Sequence, residues 1–319
     1  GLGDVYKRQD LLLNVAISSV SGFETTLRNL GEVQNKGFEL ALSTKNFVGD
    51  FTWSTDFNFS TNKNEVLALN ESDEPIYSSG SAGVRHVTRV GDPIGSYYGY
   101  VVDGIYQSQE EIDSAPVDTQ APNAGPGDFR FKDVDGDGQI TPDDRTVTGS
   151  YFPDFTWGIN NNFSYKNIDF SFLIQGVEGN EILNLTSRHL KNGEANFNSY
   201  AIFNERWRSA EDIGNGSVPR ADRESGNHGN NSRPSSFQVE DGSYVRLRNV
   251  TLGYTLPIDN IFGGSIQKLR FYITGTNLFT ITDYLGYNPE VSNISTNSLT
   301  PGEDYGAFPL TKSFTMGVN

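Results

Sequence analysis

The 319-residue chain contains no cysteine. That excludes a disulfide framework, a thiolate metal site and thiol catalysis. It has only three histidines, His86, His189 and His228. Each stands alone in a polar stretch and is expected to be solvated rather than catalytic. No run approaches 18 consecutive apolar residues, so there is no transmembrane helix. A membrane β-barrel is untouched by that absence, because each barrel strand gives only a weak hydropathy signal. Positive charge is also scarce: 24 Lys and Arg against 40 Asp and Glu give a net charge of −16. Nucleic acid needs a basic patch, and the nearest approach to one is Arg220 to Arg223, so no nucleic-acid partner is expected. No Gly-x-Ser-x-Gly elbow, His-Glu-x-x-His pair or Walker loop appears. No catalytic residue is assigned, and the chain does not read as an enzyme. No signal peptide is expected in this stretch, since Leu11-Leu12-Leu13 is too short an apolar run and lacks a cleavage site. Residues 1–9 read as an artefactual or disordered start.

What the chain does have is aromatic residues in alternation. Aromatics reach 12% although the mean hydropathy is −0.47, which suits a protein with one apolar face and one wet face. In Phe51–Ser60, Phe51, Trp53, Phe57 and Phe59 share one set of alternate positions with Thr55. Thr52, Ser54, Asp56, Asn58 and Ser60 take the other. Side chains alternate across a strand, so one face is aromatic and the other polar. About 10 residues at about 3.3 Å each, tilted by about 45°, cover most of a bilayer's apolar core. Residues 38–44, 155–165, 168–174, 244–256, 268–279 and 311–319 also read as strands. About nine to eleven strands are expected in all.

Polar stretches rich in Gly, Ser, Asn, Asp and Pro separate these strands at Asn62–Arg89, Gln107–Ser150 and Leu190–Asp241. Structureless loops of such length are uncommon in compact soluble domains. Outer-membrane barrels instead pair short turns on one side with long extracellular loops on the other, and the two-residue Lys166-Asn167 turn supplies the short side. Ala201 to Asp212, with Phe203 and Trp207 at helical spacing, suggests a short loop helix. The loop tyrosines at 97, 98, 100, 284 and 287 are expected to pack at the membrane interface.

The sharpest local motif is Asp133 to Asp144, which follows the spacing of an EF-hand calcium loop. Asp133, Asp135 and Asp137 hold positions 1, 3 and 5. Gly138 sits at the sharp turn, Gln139 offers its carbonyl and Ile140 tucks inward. Thr141 takes position 9. Asp144 replaces the usual Glu at position 12, with shorter reach. No helical pattern flanks both sides, so the expectation is a structural Ca2+ ion pinning a loop. The bland counterpart is a solvated acidic turn chosen for its geometry.

The order of motifs carries a resemblance. Asp10-Leu-Leu-Leu is followed by Gly31-Glu-Val-Gln-Asn-Lys-Gly-Phe-Glu-Leu40, then Gly91-Asp-Pro-Ile-Gly-Ser-Tyr-Tyr-Gly-Tyr100 and Asp103-Gly-Ile-Tyr-Gln107. Pro126-Gly-Asp128, Asp144-Arg145, Pro153, Gln175-Gly176 and Arg206-Trp207 come next. Residues 241–254, Gly275-Thr-Asn-Leu-Phe279, Tyr287-Asn-Pro-Glu-Val291 and Pro309 close the series. In this order the chain resembles the C-terminal part of a SusC/RagA-type TonB-linked outer-membrane transporter. The resemblance implies an all-β fold, an antiparallel transmembrane barrel of about 22 strands with a plug inside. Residues 10–319 would be its C-terminal strands, the plug domain lying outside this chain. It also implies the outer membrane of Bacteroidetes-type bacteria, outer-membrane lipid around the barrel, a SusD-like surface lipoprotein, energy from TonB, and glycan or peptide cargo. The residues alone leave an alternative open, a soluble calcium-stabilised β-sandwich that binds carbohydrate, because a sandwich also alternates its faces.

Overall fold

A computed structural model describes residues 5–8, 12–16, 25–29, 31–69, 73–193, 198–222, 230–257, 268–292 and 297–319, the first three segments by backbone alone. Eight strands form one antiparallel sheet in chain order: β1 (Val5–Arg8), β2 (Glu32–Phe47), β3 (Phe51–Ala68), β4 (Phe155–Tyr165), β5 (Ile168–Glu178), β6 (Tyr244–Thr255), β7 (Arg270–Thr282) and β8 (Ser313–Val318). A separate hairpin pairs Leu12–Ala16 with Thr25–Asn29. The wall thus has eight strands among the described residues, not the nine to eleven expected. The remaining extended segments pair with one another in the loops.

The register lines up the apolar positions of the wall. Phe57 lies opposite Leu42 on one side and Ile159 on the other. Ile159 meets Ile174, Phe163 meets Phe170, Phe170 meets Leu252, Leu252 meets Ile273 and Ile273 meets Met316. Rings continue the row, with Phe47, Trp53 and Phe163 stacked at centroid distances of 5.8 and 5.7 Å. This face is exposed: Phe47 at 56%, Ile281 at 61% and Met316 at 78%. A sandwich would bury it beneath a second sheet, whereas lipid is its natural solvent. The opposite face carries Ser54, Asp56 and Asn58, then Asn160 and Asn162, Ser171, Thr251 and Thr274.

Thr44, Thr55 and Asn161 lie in one row across the apolar face, and each is hydrogen-bonded within the wall. Trp53 Nε1 donates to Asn161 Oδ1 at 2.8 Å, and the Thr55 hydroxyl donates to the same oxygen at 2.7 Å. Lipid offers no hydrogen bonds, so side chains on this face must find partners within the wall.

The connections are asymmetric. Residues 48–50 join β2 to β3, and Lys166-Asn167, with Lys166 at φ 53°, joins β4 to β5 at the same end. At the other end residues 69–154, 179–243 and 283–312 intervene. β3 has 18 residues, about 60 Å, well beyond the span of a bilayer core. It therefore rises past the apolar band into the loop side.

The loop stretches are not irregular. Strands 76–80, 83–88, 96–99 and 146–149 form a four-stranded sheet, and 181–184, 239–241 and 303–304 form a three-stranded one. Their hydrophobic residues meet across long separations in sequence: Tyr97 with Leu183 and Leu185, and Tyr100 with Phe129, Phe131 and Ile140. Tyr97 and Tyr100 are fully buried in these cores, and Tyr284 is buried as well, so they do not pack at a membrane interface; only Tyr287 is largely exposed. His86 is also fully buried rather than solvated, edge-on to Tyr97 at 5.5 Å. Residues 201–212 give only one 3-10 turn, Ala201–Glu205. His228 and Arg223 lie outside the described residues.

One buried acid ties two of the loops together. Asp128, fully buried, accepts Arg220 Nε and Nη2, each at 2.9 Å, the Gly125 N–H at 2.8 Å and Asn231 Nδ2 at 3.0 Å. Asn231 Oδ1 in turn accepts the Phe129 N–H at 2.9 Å. The preceding Gly127 has φ 94°, and a Cβ there would lie 2.4 Å from the Trp207 ring. The Pro-Gly-Asp and Arg-Trp motifs are thus two sides of one joint.

Candidate functional site

The acidic loop takes a tight form. Asp133 accepts the N–H groups of Gly136 at 2.6 Å and Gly138 at 2.9 Å, Asp135 accepts that of Asp137 at 3.1 Å, and Asp137 accepts that of Gln139 at 2.8 Å. Gly136 and Gly138 have φ of 79° and 83°, the left-handed region glycine reaches without penalty. Carboxylate oxygens of Asp133, Asp135 and Asp137 lie within 4.8 Å of one another. The Gly138 and Gly136 N–H groups hold Asp133 below the ordinary carboxylate range. At Asp135 the Asp137 N–H pulls downward, but burial and the charges of Asp137, Asp144 and Asp133 push its pKa up on balance.

The other predicted ligands lie differently. Asp144 is fully buried and does not join the trio; its two oxygens accept the Val134 and Thr141 N–H groups, each at 2.7 Å. The Thr141 hydroxyl accepts the Asp143 N–H at 3.2 Å and caps the turn Pro142–Asp144. Gln139 is paired with Val117 in a two-residue parallel ladder, and Ile140 tucks into the core with Phe129 and Phe131. The loop is therefore anchored from beneath while its three leading aspartates face outward.

A second cluster lies on the polar face of the wall, where the loops begin. A bulge in β6 sets Leu247 and Asn249 opposite the consecutive residues Ile174 and Leu173 of β5, leaving Arg248 as the extra residue, and the register to β7 shifts at the same place. On β7 the irregularity is absorbed by Asn277 at φ 53°, a conformation asparagine tolerates well. Arg248 thereby reaches Glu290 Oε2 at 3.1 Å. Glu290 also pairs with the buried Arg246 and accepts the Tyr244 hydroxyl at 2.6 Å and Gln175 Nε2 at 2.9 Å. Burial raises the Glu290 carboxyl, but the Tyr244 hydrogen bond and the charges of Arg246 and Arg248 outweigh it and hold the pKa below the ordinary range. Such a cluster is a fixed, polar, charge-bearing surface facing the inside of a barrel wall. Sequence reasoning did not join it: the stretches 241–254 and Tyr287–Val291 both stand among the motifs, but Tyr244 and Arg248 lie 46 and 42 residues from Glu290 and Gln175 lies 115 away, beyond any local pattern.

No family model matches the sequence. Among curated proteins the chain is 38% identical to TonB-dependent receptor P3 of Formosa agariphila, over 98% of this chain and 31% of that protein. It is 26% identical to TonB-dependent receptor SusC of Bacteroides thetaiotaomicron, over 98% of this chain and 29% of that protein. Among solved structures it superposes on the RagAB peptide transporter with TM-score 0.73 at 21% identity, over 98% of this chain and 32% of that one. The chain spans about a third of the length of the curated relatives it matches. By sequence along nearly its whole length and by fold, the chain belongs with the SusC/RagA-type TonB-dependent receptors, as part of their β-barrel wall.

Proposed function

We propose that this chain forms part of the wall of an outer-membrane transporter, driven by TonB, that imports glycans or peptides together with a SusD-like surface lipoprotein. The observation that carries this reading is the eight-stranded sheet with its apolar face exposed and its polar face bearing the Glu290 cluster. The RagAB peptide importer, among the solved structures it resembles, supports a peptide cargo, and the TonB-dependent receptors among its relatives support uptake driven by TonB. The full-length gene product is expected in the outer-membrane fraction, co-purifying with a lipoprotein, and its deletion should abolish growth on one glycan or peptide source. Recovery in the soluble fraction, or unchanged growth on every such source, would contradict the proposal.

We further propose that Asp133, Asp135 and Asp137, with the Gln139 carbonyl and Thr141, hold a structural Ca2+ ion. Asp144 supports the loop from below and would need to release its backbone bonds to reach the ion, so moderate affinity is expected. Because ligands must be ionised and Asp135 has a raised pKa, binding should begin to fade above the ordinary aspartate range as pH falls. Calorimetry on the full-length receptor checks this: Asp133→Ala with Asp137→Ala should abolish one binding event, and undiminished binding would exclude the loop.

A further inference from the structure

One carboxylate serves two arginines on the polar face of the wall. Glu290 Oε2 pairs with Arg246 and accepts Arg248 Nη1 at 3.1 Å. Its other oxygen, Oε1, accepts the Tyr244 hydroxyl at 2.6 Å and Gln175 Nε2 at 2.9 Å. Among the described residues neither arginine pairs with a second acid. The cluster therefore holds one more positive than negative charge, in a chain whose net charge is −16.

The two arginines differ in the donors left over. The Arg246 side chain is 1% exposed and fully engaged. Its Nε donates to Thr280 Oγ1 at 2.9 Å, its Nη2 donates to Asn288 Oδ1 at 3.1 Å, and its Nη1 is the group paired with Glu290. The Arg248 side chain is 40% exposed and uses Nη1 alone. Its Nε and Nη2 have no partner among the described residues and stay open to solvent. Those two nitrogens form one edge of the guanidinium, with parallel N–H groups that match the two oxygens of a carboxylate. Arg220 grips Asp128 by that same edge, and Arg270 grips Asp169 by it. On Arg248 the edge is vacant.

The fork is held in place. Arg248 is the extra residue of the β6 bulge, on a strand paired on both sides, and Glu290 anchors its Nη1. Glu290 is itself set by a turn in which Asn288 Oδ1 accepts the Glu290 N–H at 3.2 Å. Alternation along β6 puts Asn249 on the polar face with Thr251, and Asn249 is exposed. Its amide can donate to and accept from a peptide group. β6 begins at Tyr244, opposite the end of β7 at Thr282, so the fork lies near the loop end of the wall. That is the end cargo reaches first.

We propose that the Nε–Nη2 edge of Arg248 binds a carboxylate of a peptide cargo. Every peptide with a free C-terminus carries such a group, and acidic side chains supply others. This assignment rests on the transporter reading with peptide cargo and adds where the charge of that cargo is met.

The test uses the full-length receptor in detergent at neutral pH, titrated by calorimetry with N-acetylated hexapeptides of alanine and serine. One has a free C-terminus, one is amidated, and one is amidated but carries an aspartate. At least one carboxylate-bearing peptide should bind about tenfold or more tightly than the neutral one. A gain with the free C-terminus names the terminal carboxylate, and a gain with aspartate names a side chain; either supports the site. Arg248→Gln should erase the gain while leaving affinity for the neutral peptide unchanged, which a merely structural role would not do. Arg248→Lys should keep part of the gain, having charge but no fork. Should the glutamine variant not fold, acetate on the native receptor decides: it should compete with the acidic peptide more strongly than chloride at equal ionic strength. Equal binding of all three peptides, a gain that survives in Arg248→Gln, or no difference between acetate and chloride would overturn the site. Tighter binding of trigalacturonate than of either acidic peptide would overturn the peptide assignment. A receptor that supports growth on peptides yet binds acidic and neutral ones alike sinks this inference and leaves the transporter reading standing.

Discussion

Asp128→Ala is expected to destabilise the folded loops by about 3 to 5 kcal/mol, the cost of breaking a buried charge pair by removing one partner. The carboxylate is fully buried and satisfies a bidentate Arg220, the Gly125 N–H and Asn231. Truncation removes the buried carboxylate from Arg220, which keeps Asp222 at 3.3 Å, takes the acceptor from the Gly125 N–H, and loosens Asn231, which orients Phe129 in the core beneath the acidic loop. Asp128→Asn should cost less, because it keeps the shape and part of the hydrogen bonding. Limited proteolysis of the full-length receptor reads the effect, since cleavage tracks the population of the open form. Cutting within residues 101–241 should be at least about a hundredfold faster in the alanine variant. Unchanged cleavage would show that the joint does not hold the loops.

Phe57→Arg is expected to impair folding into a bilayer by about 2 to 4 kcal/mol, whereas Asn58→Arg, one residue away, should cost about 1 kcal/mol or less. Phe57 lies in the middle of the apolar band, between Leu42 and Ile159. A charge there loses its hydration and has no acid to meet. Asn58 points to the other face, with Ala41 and Gly158 as its neighbours across the sheet. Equilibrium refolding into vesicles measures both. Equal penalties would remove the distinction between the faces.

The wall was legible in the sequence where one face is apolar. Phe155–Tyr165 matches its structural strand end to end, and Phe51–Ser60 marks the lower part of β3. The upper part escaped because Asn62, Lys63, Asn64 and Glu65 are polar on both faces once the strand has left the lipid level. The folded loops escaped for another reason. His86, Tyr97 and Tyr100 sit in polar surroundings along the chain, but their burial comes from partners at 183–185, 129–140 and 301–303. A local pattern does not encode a contact of that range. The acidic loop shows both limits at once: spacing located Asp133, Asp135 and Asp137, while the engagement of Asp144 with Val134 and Thr141 depends on how the turn closes.

The central claim is that the aromatic face of this wall meets lipid and its polar face meets water. Because the chain lacks cysteine, single cysteines at successive positions from Trp53 to Phe59 can be spin-labelled in the full-length receptor, with any cysteine elsewhere in it removed. Collision with oxygen, which partitions into lipid, is then compared with collision with a water-soluble nickel chelate. The account predicts a period of two: oxygen dominates at 53, 57 and 59, and the chelate dominates at 54, 56 and 58. Absence of alternation, or alternation in the opposite phase, would contradict it.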